Sequence, residues 1–108
     1  MVTSLDTRTS VRLHTSTTIG ADGLGLISYY DSGNGRLKIA HCSNVSCTEA
    51  TISVLDAARF VGLYPSVTIG ADGRGLISYY DSTNGDLKVA HCSNVSCTAA
   101  TITSLDTT

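Results

Sequence analysis

Apolar and polar positions alternate along this chain in short bursts, and each burst stops at a turn signal. In the second half, Ser66 to Ala71 runs into Asp72-Gly73, and Gly75 to Tyr80 runs into Asp81-Ser82-Thr83-Asn84-Gly85. Leu87 to Cys92 then leads into the Cys92 to Cys97 loop, and Ala100 to Leu105 ends at Asp106. Bursts of this length bounded by Gly, Asn, Asp and Ser predict four strands. Asp72-Gly73 suits the two φ > 0 positions of a type I′ hairpin. The first half predicts the same four strands at Ser16 to Ala21, Gly25 to Tyr30, Leu37 to Cys42 and Ala50 to Leu55. Nowhere do apolar residues keep a 3.6-residue period, so no helix is predicted.

The two halves are near copies. Residues 15 to 58 laid on 65 to 108 agree at 33 of 44 positions without a gap. Self-similarity at such a period marks a propeller, a solenoid or an array, because one unit cannot bury its apolar faces alone. The chain divides into residues 9–58 and 59–108, preceded by residues 1–8. Within that leading stretch, Thr3-Ser4-Leu5-Asp6-Thr7 is identical to Thr103-Ser104-Leu105-Asp106-Thr107, so 1–8 is expected to be an extra N-terminal strand duplicating 101–108. In a ring built from such chains, the two ends would compete for one slot.

Side-chain alternation along a strand decides which faces need cover. Leu37 and Ile39 point one way while Ala40 and Cys42 point the other; Leu26 and Tyr30 oppose Ile27 and Tyr29. Both faces are therefore apolar, as expected of a blade inside a propeller. Four strands of five or six residues present a face of roughly 300–400 Å², close to the largest apolar patch a monomer normally exposes. Two stacked units would still leave two such faces in water. The expected architecture is all-β: four antiparallel strands per blade, two blades per chain, and a ring completed by homo-oligomerisation, trimers or tetramers being favoured.

Composition narrows the class further. Seven Lys plus Arg against nine Asp plus Glu, with no run of either sign, leave no electrostatic footprint for nucleic acid or an anionic membrane. No apolar run approaches the roughly 18 residues of a membrane span. Four cysteines fall as two identical Cys-x4-Cys pairs, Cys42 with Cys47 and Cys92 with Cys97. An even count at a repeated local spacing reads as one disulfide per unit and an extracellular or other oxidising compartment. Met1 to Asp6 has neither the basic nor the apolar region of a signal peptide. The expectation is a segment of a larger secreted protein or an engineered chain.

Ile69-Gly70-Ala71-Asp72-Gly73, followed by Gly75-Leu76-Ile77-Ser78-Tyr79-Tyr80-Asp81 and Leu87-Lys88-Val89-Ala90-His91-Cys92, resembles the repeat blades of secreted bacterial β-propeller proteins. The resemblance covers nearly the whole chain, twice. It implies four antiparallel strands per blade, a disulfide across the last hairpin and no shared enzymatic activity. The closeness of the two copies is also similar to symmetrised, engineered or recently amplified propellers.

Several constellations invite a chemical reading. Tyr29, Tyr30 and Asp31 recur as Tyr79, Tyr80 and Asp81, and aromatic rings beside carboxylates are a common surface for carbohydrate or another small ligand. The alternative is that one Tyr of each pair packs between blades while its neighbour anchors a hydrogen bond. His41 with Cys42 and Cys47, or His91 with Cys92 and Cys97, falls short of the four donors of a zinc site, so the disulfide is the simpler account and no metal or cofactor is expected. The Asp81 to Asp86 loop is rich in oxygen donors, but Arg36 replaces the last carboxylate in the first copy and the spacing is not that of a calcium loop. Asn44-Val45-Ser46 and Asn94-Val95-Ser96 have the form of glycosylation sequons inside disulfide loops, where turn-forming is the expected role. No nucleophile and base pair can be placed at reacting distance, so no catalytic residue is predicted. Two functions follow: a self-assembling structural or binding scaffold, or a fragment of a larger extracellular carbohydrate-binding or glycosidase-like propeller whose active residues lie elsewhere.

Overall fold

The computed structural model describes residues 11–31, 35–57 and 61–106. Eight strands follow one another: β1 (Val11–Ile19), β2 (Gly25–Asp31), β3 (Arg36–Cys42), β4 (Ala50–Asp56), β5 (Val61–Ile69), β6 (Gly75–Asp81), β7 (Asp86–Cys92) and β8 (Ala100–Asp106). They form two four-stranded antiparallel sheets, β1-β2-β3-β4 and β5-β6-β7-β8, each a simple meander. Among the described residues there is no helix. The chain is thus all-β, with one sheet per sequence repeat, and residues 1–10 lie outside the described part, as does any strand they form.

Six of the eight strands match their predicted bounds to within a residue, whereas the first strand of each copy does not. β1 begins at Val11 rather than Ser16, and β5 at Val61 rather than Ser66, and both stop at Ile rather than Ala. The early part of β5 reaches β6 only through register shifts between Val61 and Leu63 and between Leu63 and Ser66. Its backbone is left-handed at Gly62 (φ 98°) and Tyr64 (φ 52°). Bulges of this kind break the two-residue alternation on which a strand prediction rests.

The hairpin after β5 also differs from the expected type I′ turn. Gly73 N–H donates to the Gly70 carbonyl (3.0 Å) and Gly70 N–H to that of Arg74 (2.8 Å), and Gly73, unlike Asp72, has positive φ (79°). This is a three-residue loop with a bulge glycine. Asp72 instead accepts the Arg74 N–H through its side chain (3.0 Å). The first copy repeats the geometry at Gly20 to Leu24.

The second sheet lies face to face on the first. β5 runs against β1 and β2 and less extensively against β3, so the sheets are closest along their first strands and open towards β4 and β8. Alternation sends Val67, Ile77 and Tyr79 to the inner face of the second sheet, where they meet Leu26, Leu37 and Ile39 of the first in the hydrophobic core. Val61 joins them. At Gly62 the chain passes so close to β3 that a Cβ would sit 2.7 Å from the Leu37 Cα.

Candidate functional site

Among the described residues, the chemistry concentrates in the seam between the two sheets. Val67 N–H donates to Ser16 Oγ at 3.1 Å, tying the second sheet to the first strand of the first. Deeper in, the Tyr79 hydroxyl donates to Asp56 Oδ2 at 2.7 Å. Lys88 Nζ lies 3.1 Å from Asp81 Oδ2 and 3.7 Å from Asp56 Oδ2. The remaining capacity of Asp81 is filled by its own hairpin: Thr83 and Asn84 N–H donate to Oδ1 and Asn84 Nδ2 to Oδ2. One ammonium thus serves two buried carboxylates, and a phenol completes the set.

Protonation follows from this arrangement. Burial, then the bond to Asp56 and the charges of Asp56 and Asp81, push the Tyr79 phenol far above its ordinary value. Burial alone would raise Asp81, but the bonds from Asn84 and Lys88 outweigh it and hold the carboxyl below the usual range. For Lys88, burial opposes the charge, yet Asp81, Asp56 and Asp86 win and raise it. Removing one member of a buried charge cluster leaves the others uncompensated, typically at about 3–5 kcal/mol.

The first sheet carries the same parts 50 residues earlier. Lys38 Nζ lies 3.0 Å from Asp31 Oδ2, both buried, as Lys88 lies by Asp81. What differs between the sheets is the outer cover. Leu26, Tyr30 and Leu37 of the first sheet are 0, 8 and 0% exposed beneath the second, while their counterparts Leu76, Tyr80 and Leu87 are 37, 40 and 45% exposed. Repeated side chains on the equivalent face of the two sheets are a core in the first and an open surface in the second.

The residues singled out as a carbohydrate or small-ligand surface are dispersed by the fold. Tyr79 and Asp81 are buried on the inner face of the second sheet and Tyr30 faces them from the first. Tyr29 and Asp31 are buried on the opposite face of the first sheet, and Tyr80 alone of the six is exposed. Asp56 and the two lysines are the members of the seam not expected from the sequence. The signal was present: Leu-Asp closes the fourth strand and Leu-Lys opens the core of the third in both copies.

At the loop end of each sheet, Cys42 is bonded to Cys47 and Cys92 to Cys97, which leaves no thiolate for zinc. Inside these loops Asn44 and Asn94 each hold the threonine four residues on, Thr48 and Thr98, by donating from Nδ2 to its hydroxyl and accepting its N–H. The sequon asparagines therefore act as turn-closing residues. Nearby, His41 pairs with Asp22 (2.8 Å) and His91 with Asp72 (2.6 Å). No helix among the described residues is long and apolar enough to cross a membrane.

Fold and seam together define an all-β protein of two repeated antiparallel sheets, stacked through an apolar contact that encloses a buried Tyr-Asp-Lys cluster. No family model matches the chain, and no curated protein or solved structure shows a match to it.

Proposed function

We propose that this protein is a self-associating scaffold, a β-propeller to which each copy contributes two blades. The observation that carries this is the exposure of Leu76, Tyr80 and Leu87 on a face whose duplicate is a closed core. The matching cover is the face on which the first sheet repeats Ile27, Tyr29 and Ala40 where the second has Ile77, Tyr79 and Ala90; Tyr29 and Ala40 are already buried in the single chain, so docking of a second copy displaces their present cover. Joining the two faces head to tail makes a heterologous contact, which closes into a ring when the rotation allows. The wedge between the sheets, tight along the first strands and open towards the last, is the shape that blades around a central axis take.

Propellers hold about four to eight blades, so two per chain gives dimers, trimers or tetramers, with trimers and tetramers favoured. The role is structural or one of binding, without catalysis, any ligand lying at blade edges or along the channel. Two disulfides suit an oxidising compartment, consistent with secretion. Light scattering over a dilution series of the unreduced protein tests the proposal. The expected result is a discrete species of three or four 11.2 kDa chains. A folded monomer at every concentration overturns it, and favours a fragment of a larger extracellular propeller whose other blades supply the cover.

A further inference from the structure

The buried cluster of the internal seam is delivered from two places in the repeat. Tyr79 and Lys88 stand opposite each other on β6 and β7, and Asp81 lies beside them. The last strand of the preceding sheet, β4, brings Asp56 to the Tyr79 hydroxyl and the Lys88 ammonium, and Leu55 to the apolar core. One period of 50 residues earlier, Tyr29 stands opposite Lys38 in the first sheet, and Lys38 pairs with Asp31 at 3.0 Å. All three are buried and already engaged within the single chain. Their face is not the one beneath the second sheet, which covers Leu26, Tyr30 and Leu37. The same step of 50 turns residues 51–58 into residues 1–8, with Val2 for Ile52, Leu5 for Leu55 and Asp6 for Asp56. Of the stretches outside the described residues, 1–10, 32–34, 58–60 and 107–108, only the first exceeds three residues.

We propose that residues 1–8 cover the outer face of the first sheet, with Asp6 accepting the Tyr29 hydroxyl and pairing with Lys38 as Asp56 serves Tyr79 and Lys88. A buried phenol needs an acceptor, and a buried ammonium can hold two carboxylates, as Lys88 does. Asp6 is the acid at the matching place in the repeat, whereas Asp106, in an identical pentapeptide, stands on the exposed end of β8. The segment is thereby an internal plug. A second copy reaches the outer face only after residues 1–8 have left it, so its apparent affinity is reduced by the fraction of chains whose face is uncovered. The pairing stands on the single chain alone; the effect of the plug on assembly rests on the self-association proposed above.

Denaturant unfolding of Asp6→Ala, Tyr29→Phe and the double variant, at concentrations where each is monomeric, forms a double-mutant cycle; a second cycle with Asp106→Ala in place of Asp6→Ala is the control. Loss of a hydrogen bond to a charged group predicts an unfolding equilibrium constant raised by roughly 10-fold to 100-fold in each single variant of the first cycle. The double variant is expected to be no worse than the worse single one, and Asp106→Ala to be uncoupled from Tyr29→Phe. Additive losses in the first cycle, or coupling of Tyr29 to Asp106 instead, overturn the pairing. Sedimentation velocity over a dilution series then compares the unaltered protein with the chain lacking residues 1–8, and with Asp6→Ala as the milder change should the shortened chain not fold. The dissociation constant is expected to fall, in Asp6→Ala by up to the factor that its unfolding constant rises. Association that is weaker or unchanged overturns the plug. If neither chain associates at any concentration, the scaffold proposal and the role of the plug in assembly fall together, and the first cycle alone judges the pairing.

Discussion

Leu37 and Leu87 are one residue of the repeat seen twice, covered and uncovered, and truncating each to alanine separates the two kinds of seam. Leu37 is fully buried against the second sheet, so Leu37→Ala removes its burial and leaves a cavity, at about 2–5 kcal/mol of chain stability. Leu87 is 45% exposed in the single chain, so the proposed association would add roughly half of its burial. The three methylene-sized groups lost in Leu→Ala are worth about 0.8 kcal/mol each. About half of that sum, near 1.2 kcal/mol, belongs to the single chain, and in the proposed ring a similar amount belongs to the contact with the next copy. The intermolecular share weakens each seam by roughly tenfold in dissociation constant. Thermal unfolding under monomeric conditions measures the first quantity and sedimentation velocity the second. Leu37→Ala is expected to lower the unfolding temperature far more than Leu87→Ala, and Leu87→Ala to shift the association curve by about one decade. A Leu87→Ala protein that associates as well as the parent would refute the idea that this face is the one in use.

Further expectations concern stability. Tyr79 and Lys88 have raised folded values, so their contributions are complete below about pH 10, where the unfolded phenol and ammonium begin to titrate, and are lost as pH rises above it. Asp81 is lowered, so its contribution is complete above about pH 4 and lost as pH falls through its folded value. Tyr79→Phe should therefore reduce the alkaline fall in melting temperature; an identical fall in that variant contradicts the assignment. Each six-residue disulfide loop is worth about 2 kcal/mol by the chain-entropy model, so reduction should lower the melting temperature without abolishing the fold. Peptide mapping of the unreduced protein should recover Cys42 with Cys47 and Cys92 with Cys97. Gly62→Ala places a Cβ 2.7 Å from Leu37 Cα at positive φ and should cost about 2–4 kcal/mol in denaturant unfolding.

Strands were legible in this sequence wherever alternation survived and turn residues sat at the ends, as at Gly75 to Asp81 and Leu87 to Cys92. The first strand of each copy begins five residues earlier than the pattern suggests, and in β5 the added stretch holds Gly62, Tyr64 and Pro65, which the fold accommodates through register shifts and left-handed backbone at Gly62 and Tyr64. The hairpin type was misjudged at Asp72, whose carboxylate caps the turn while its backbone stays at negative φ. Two-faced apolarity could be read from Leu26, Ile27, Leu37 and Ala40, since a period of two needs no tertiary information. The Tyr79 to Asp56 bond could not, because it joins residues 23 apart through a stacking that the local pattern does not encode.

At Gly62 the chain leaves a mark on its own history. Wherever one repeat is fused to the one before it, the incoming first strand must skim past a leucine backbone, and only a residue lacking a Cβ makes that passage. The first copy has Arg12 at the corresponding position. A gene lengthened by tandem duplication would therefore find a berth ready for a third unit beside Leu76, Tyr80 and Leu87, but only a unit copied from residues 59–108 brings the glycine that the fused junction demands.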